Sequence, residues 1–306
     1  MAAMRMQSNP SIWELTEINY HKVEEVMKDL YIRALKDLPE DVRIALKEAY
    51  RREESPIGKK ILETMLQSVE VADDKSLLVC QDTGIPVFFI TVGNNVRFDG
   101  VRLEEAIKKG TKRATREHPF RSSICSCITR INDQSSTGSN IPVIHYEFIP
   151  GTHLEILCLP KGSGSENMSF LNMLIPEEGI NGIKRFVLES VFQAGANPCP
   201  PCIVGVGIGG SSDLCMKLAK KATSRPIGSS HSDPLIAKLE KELLDSMNRL
   251  GIGPNGLGGN TTALAVHVEA ADTHITMNPV GVNMMCWAAR RAKAVFYSDG
   301  SHSVMT

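Results

Sequence analysis

Residues 199–210 read CPPCIVGVGIGG, and three kinds of chemistry could start there: phosphate binding on the glycines, dithiol exchange, or metal ligation through cysteine. A dinucleotide turn wants G-x-G-x-x-G after a strand, and an acidic residue about 20 positions on at the end of a second strand. The glycines at 205, 207, 209 and 210 run G-x-G-x-G-G instead, and position 225 onward reads RPIGSSHS, so the spacing fails. What such glycines do allow is close backbone approach, with amides at the following helix start able to face an anion. CPPC has dithiol spacing, but an exchanging pair sits at a helix N-terminus, whereas here the second cysteine opens a strand-like run. A closed zinc knuckle needs a second C-x2-C or an H-x3-5-H; neither is present, and CSC at 125–127 has the wrong spacing.

The chain has eight cysteines, at 80, 125, 127, 158, 199, 202, 215 and 286. In a reducing compartment the default for each is a small buried apolar residue, and Cys158 and Cys215, on apolar faces of a strand and a helix, fit it. Three others stand in Gly, Pro or polar surroundings that could expose a thiolate: Cys80 before QDTG, Cys199 in NPCPP and Cys286 in NMMCWAARRA. Three thiolates fall one short of the four that normally hold a [4Fe–4S] cluster. One iron would stay open, a Lewis acid able to take a substrate hydroxyl and carboxylate and to polarise a C–O bond. Cysteines this far apart in sequence do not by themselves choose between that reading and the apolar default.

The elements that must position these groups are of both kinds. With 306 residues the chain can bury one large core or two smaller ones, so it needs neither disulfides nor a metal merely to fold. Its 34 basic and 35 acidic residues give a formal charge of −1, which argues against nucleic acid or an anionic membrane surface as partner. MAAMRMQSNPSIWELTE has no long apolar core of an export signal, and no apolar run approaches the roughly 20 residues of a membrane span; a cytoplasmic location is expected. The first part is charge-rich and helical: Ile12, Leu15, Ile18, Val23, Val26, Met27, Leu30 and Ala34 keep a helical period, and LPEDVRIALKEAYRREES and PIGKKILETMLQSVEVADD each open at a proline. SLLVC and IPVFFITVG read as strands around the turn QDTG, and IPVIHYEFIP with HLEILCLP as a hairpin joined by GT. Beyond these, helices are expected over EGINGIKRFVLESVFQAG, SDLCMKLAKKAT and SDPLIAKLEKELLDSMNRLG, and strands over CIVGVGIGG and TALAVHVEAAD. The expected fold is mixed α/β (α+β), one catalytic domain over 1–306 in which a helical segment, 1–75, packs on a mixed-sheet body, 76–306, that carries the site.

VCQDTGIPVFF, KGSGSENMS, ANPCPPCIVGVGIGG, RLGIGPNGLGGN and CWAARR, in that order, resemble the iron–sulfur (class I) fumarases and L-tartrate dehydratases, specifically their N-terminal catalytic region or separate alpha subunit. The likeness runs from about residue 15 to 300. It implies Cys80, Cys199 and Cys286 as ligands of a [4Fe–4S] cluster, and Gln81 and Asp82 as substrate contacts, with Asp82 a proton donor or water-handling acid. It also implies that Arg121 grips a carboxylate, for which its fork suits it, that Gly164 lets a backbone amide reach a bound diacid with Asn167 in support, and that His274 lies near the substrate. Taken alone, these would be a turn carboxylate capping its own backbone, a solvated arginine and a structural histidine. Two features depart from the family: Ser163 replaces the second glycine of the usual GGGSEN, and Cys202 is an extra thiol, expected in the core.

In that family the base for the α-proton and the remaining cations lie in a further domain, so the resemblance implies a beta subunit that completes the site, in a dimer of alpha–beta pairs. The implied substrate is a four-carbon dicarboxylate. GSGSENMS favours reversible hydration of fumarate to L-malate over L-tartrate dehydration, with mesaconate-type hydration a further option. The rival from another class is a non-catalytic iron–sulfur or redox-sensing protein.

Overall fold

Polar residues and prolines set where the first three helices begin. In the computed structural model, which describes residues 16–306, the Asn19 side chain accepts from the Lys22 N–H at 3.1 Å and opens α1 (Tyr20–Lys36). The helix therefore starts later than the apolar stripe suggested: Ile12 and Leu15 lie outside the described residues, and β1 (Thr16–Glu17) is extended and pairs with β3 (Val96–Arg97). Val23, Val26, Met27, Leu30 and Ala34 are all buried, as the period requires. Helix α2 (Glu40–Arg52) follows Pro39, and α3 (Pro56–Asp74) has Pro56 in its first turn under the Ser55 cap. Helix α4 (Gly100–Glu117) crosses α1 at Gly110, where a Cβ would stand 2.6 Å from the Glu24 carbonyl.

Two strand expectations are corrected. Residues 76–80 form no strand: Leu77 N–H bonds back to the Ala72 carbonyl and Ser76 takes φ +52°, so this segment closes α3 and turns. Nor do β4 (Val143–Ile149) and β5 (Leu154–Lys161) form a hairpin with each other, because β2 (Ile85–Gly93) lies between them, parallel to β4 and antiparallel to β5. The physical reason is burial. PVFFITV is apolar at almost every position and takes the centre of the sheet, while β4, with Glu147 and Phe148 exposed, takes the edge.

The first sheet has the order β11 (His302–Met305), β10 (Ala292–Phe296), β5, β2, β4. The second runs β6 (Phe170–Leu174), β9 (Asn278–Met285), β7 (Cys202–Ile208), β8 (Ala263–Ala270), with β7 parallel to β8 and antiparallel to β9. Between β5 and β6 comes the short helix α5 (Ser163–Glu166); α6 (Gly179–Ala194), α7 (Ser212–Ala222) and α8 (Pro234–Asn248) follow in the second half. The fold is α+β, as expected.

Helices α1 and α4 cover one face of the first sheet, and α6 and α8 pack on the second. Leu46, Leu62, Met65 and Val69 of α2 and α3 share one apolar cluster with Val87, Phe89 and Leu159 of the first sheet and Ile203, Ala265 and Met285 of the second. Each fully buried side chain of this size contributes roughly 1.5–3 kcal/mol, so the two sheets are locked through α2 and α3. The glycines of β7 have a packing role: at Gly207 a Cβ would lie 2.0 Å from the Cys215 carbonyl of α7, so the helix rests directly on the strand. Among the described residues no helix is long and apolar enough to cross a membrane.

Candidate active site

The site residues gather where four strand ends meet. Pairing of Ile85 with Lys161 brings the turn before β2 against the end of β5, and pairing of Ile203 with Met285 brings the start of β7 against the end of β9. Lys161 joins the two sheets: its buried Nζ donates to the Met284 carbonyl and, at 2.9 Å, to Ser165 Oγ, with Glu166 Oε2 at 3.5 Å. Burial pushes this ammonium down to about 8, against the pull of Glu166. Glu166 is held ionised below its usual range: burial works to raise it, but Lys161, Lys220 and the Asn283 amide outweigh that.

The turn Cys80–Gly84 is built around Asp82. One carboxylate oxygen accepts from the Gly84 N–H at 2.9 Å, and Gly84 sits at φ +70° with no room for a Cβ, which would be 2.4 Å from the Lys161 carbonyl. The other accepts from both the N–H and the hydroxyl of Ser163, at 2.7 and 2.9 Å. Burial works to raise the Asp82 pKa, yet Ser163, Gly84 and the Arg290 charge together hold it below the ordinary carboxylate range. Thr83, fully buried, donates to the Arg121 carbonyl at 2.5 Å and so ties the Arg121 loop to this turn. The Arg121 and Gln81 side chains are exposed, and no ion-pair partner of Arg121 is present among the described residues.

Gly164 faces the other sheet, with its Cβ position 3.1 Å from the Asn197 carbonyl, so the GSGSEN turn abuts the NPC segment. Asn167 ends α5; its N–H bonds to the Ser163 carbonyl at 2.9 Å and its side chain is exposed. Cys199 takes φ +55°, and its carbonyl accepts from the Trp287 N–H at 3.1 Å, which seats it beside Cys286. Cys199 is exposed, Cys80 and Cys286 are half-buried, and Cys202 is buried, as expected. Burial raises the Cys199 thiol, and the nearby charges of Cys80 and Asp82 add to this; burial also raises Cys286, against Arg290 and Lys161. Cys80 thus lies within reach of the charge of both Cys199 and Cys286. Among the described residues, however, no three His, Cys, Asp or Glu groups converge as ligands of a single ion do.

Arg290 is 4% exposed and donates from Nη2 to the Asp82 carbonyl at 2.6 Å, while its Nε and Nη1 are buried without a partner. Neither Arg290 nor Lys161 was marked by the sequence reading. A lone charge at the end of an apolar run, as in LCLPK, was the available signal for Lys161. Arg290 had only its place in CWAARR.

His274 is not brought to this group. It is exposed in the loop before β9, its Nδ1 2.9 Å from Thr276 Oγ1, and that loop is tied to Gly210 after β7. Eight residues of β9 separate it from Cys286, roughly 25 Å of extended chain.

A family model described as Fumarate hydratase (Fumerase) matches residues 24–295. A Methanocaldococcus jannaschii protein, provisionally named L(+)-tartrate dehydratase subunit alpha, is 47% identical over 274 residues, 89% of this chain and 96% of the relative. L(+)-tartrate dehydratase subunit alpha of Escherichia coli strain K12 is 35% identical over 280 residues, 91% of this chain and 92% of its own; the Shigella sonnei protein of the same name matches equally.

Proposed function

This chain belongs to the class I fumarase family of hydro-lyases, and from that membership and the groups gathered at the sheet junction we propose that it is the alpha subunit of an iron–sulfur enzyme hydrating a four-carbon dicarboxylate. One observation supports the reading: the Trp287 N–H beside Cys286 bonds the Cys199 carbonyl, and Arg290, four residues after Cys286 and with two unanswered donors, bonds the carbonyl of Asp82, two residues after Cys80, so the three cysteine-bearing segments are tied together. The donor set fits a [4Fe–4S] cluster. Three soft thiols stand on segments that are tied together, though no three ligands converge on one ion among the described residues, and the unanswered donors of the buried Arg290 suit an anionic group of the kind that cluster and its thiolates make. Cys80, Cys199 and Cys286 would hold it. When bound, it supplies a Lewis-acidic iron that polarises the substrate's hydroxyl.

The chain's own residues bind and handle protons. Arg121, an exposed guanidinium anchored through its carbonyl, offers two parallel donors to one carboxylate of the diacid. Gln81 and the backbone around Gly164 supply neutral contacts that orient the carbon skeleton. Asp82, already ionised and fixed by three donors, takes a proton from attacking water at its carboxylate and returns it when water leaves. A diacid needs a cation at each end and a base at the carbon that loses its proton, and this cluster of residues offers neither a second exposed guanidinium nor that base. A beta subunit would supply both, in a dimer of alpha–beta pairs.

Fumarate and L-malate are the preferred pair, in line with the family description. L-tartrate is the second reading, favoured by the names of the relatives. Anaerobic purification with the beta subunit, followed by assays on L-malate, L-tartrate and mesaconate, tests both: the highest kcat/KM names the substrate. A reconstituted pair that carries a cluster and turns over none of them would show a sensor instead.

A further inference from the structure

Arg290 is the one buried cation among the described residues with unanswered donors. Its Nε and Nη1 have no partner, and neither do the Tyr31 hydroxyl of α1 and Ser136 Oγ, both on fully buried residues. Tyr31 lies close to Ser136, and the charges of Arg290 and Asp82 act on it. A buried guanidinium with two free donors is unfavourable unless an acceptor arrives. Both hydroxyls can serve each other or water, but they carry no negative charge for Arg290.

Arg290 also bridges the segments that carry two of the candidate ligands. It lies four residues beyond Cys286, while its Nη2 holds the Asp82 carbonyl, two residues beyond Cys80. Resting on the hydro-lyase reading above, we propose that Arg290 is a positioning residue for the anionic cluster: Nη2 clamps the Cys80–Asp82 turn, while Nε and Nη1 donate to the thiolate and sulfide sulfurs that gather there. Its cost in the empty protein is offset when that anionic group is bound. Tyr31 stands outside this pairing.

The prediction has a sign that a merely structural arginine would not give. Replacing a structural arginine weakens the empty and loaded proteins alike. Here Arg290→Gln leaves the melting temperature of the cluster-free chain within about 3 °C of wild type, since losing one carbonyl bond and the attraction of Asp82 is offset by removing two buried donors that had no partner. In the reconstituted chain the same variant releases iron to a chelator about 10–100 times faster, the usual cost of removing a group that supports a metal's ligands. Arg290→Lys, which keeps the charge but loses the fork, falls between, and Tyr31→Phe matches wild type.

The experiment is anaerobic reconstitution of the full chain with iron and sulfide, reading iron and acid-labile sulfide per chain, iron-release rate and the melting curve of the cluster-free form. Arg290→Gln that releases iron no faster than wild type overturns the inference, and so does equal destabilisation of its empty and loaded forms. If Arg290→Gln does not fold, Arg290→Lys decides by the same two readings. A wild-type chain that takes up no iron and sulfide overturns the iron–sulfur reading together with this inference, whereas normal loading with an unaffected variant overturns this inference alone.

Discussion

Two adjacent arginines, 290 and 291, are both buried and go to opposite kinds of place. Arg291 reaches α2, where Asp41 takes its Nη2 at 2.7 Å and accepts the Ile227 N–H with the other oxygen. Nearby, Arg225 pairs with Glu240 at 2.6 Å, and Glu240 also accepts the backbone N–H groups of Val268 and His231. Charge there is answered by charge. Arg290 has one backbone carbonyl and only the longer-range attraction of the Asp82 carboxylate, and its Nε and Nη1 are left without an acceptor. A closed ionic network holds α2 and α8 to the second sheet; an open one waits for a ligand.

The largest expected effect breaks the open region. Cys80→Ser, Cys199→Ser and Cys286→Ser each abolish stable cluster uptake and activity with the beta subunit, while Cys202→Ser, a buried thiol, keeps the cluster; iron analysis and absorption spectra check this. Next, Asp82→Asn lowers kcat about 10²–10⁴-fold with cluster content unchanged, the range for losing a positioned proton-transfer group. In the closed region the reverse holds. Arg291→Met costs about 3–4 kcal/mol of stability in denaturant titration because it strands Asp41, yet leaves iron uptake intact.

His267 sharpens the contrast by pH. Its ring, 1% exposed and without hydrogen-bond partners, sits near the Arg225–Glu240 and Arg291–Asp41 pairs, and burial first, then those arginines, push its pKa down to about 4. Between pH 6.5 and 4 the unfolded chain therefore binds the proton more readily than the folded one, so stability falls as pH falls through that window, by about 3 kcal/mol in total. His267→Leu flattens this slope, as denaturation at pH 7 and pH 4.5 would reveal. The smallest effect is Ser163→Ala, which removes one of the hydroxyl and amide donors to Asp82, costs about 1 kcal/mol of carboxylate stabilisation and moves the acid limb of the pH–rate profile upward.

Much of the frame was legible in the sequence. Pro56 and Asp233 mark helix starts by chemistry that acts over three residues, and the period of Val23, Val26, Met27 and Leu30 names the buried face of α1, though not its start at Asn19. The hairpin expectation for β4 and β5 went wrong because strand partners depend on which strand is most buried, a property of the whole sheet. In the site, Ser163 counted only as a departure from a glycine pattern. In the structure its hydroxyl adds a donor to Asp82 that glycine could not supply.

The sequence by itself determined the helices, the apolar strands and, through the resemblance of five ordered motifs, the family; these rest on local periodicity, capping and residue identity. Only the tertiary structure decided which charges are saturated. It set Arg290 against an uncharged carbonyl and Arg291 against a carboxylate, turned Ser163 toward Asp82, and left His274 at the far end of β9. Those outcomes depend on which segments meet across the two sheets, and neighbouring residues in one dipeptide carry no record of that.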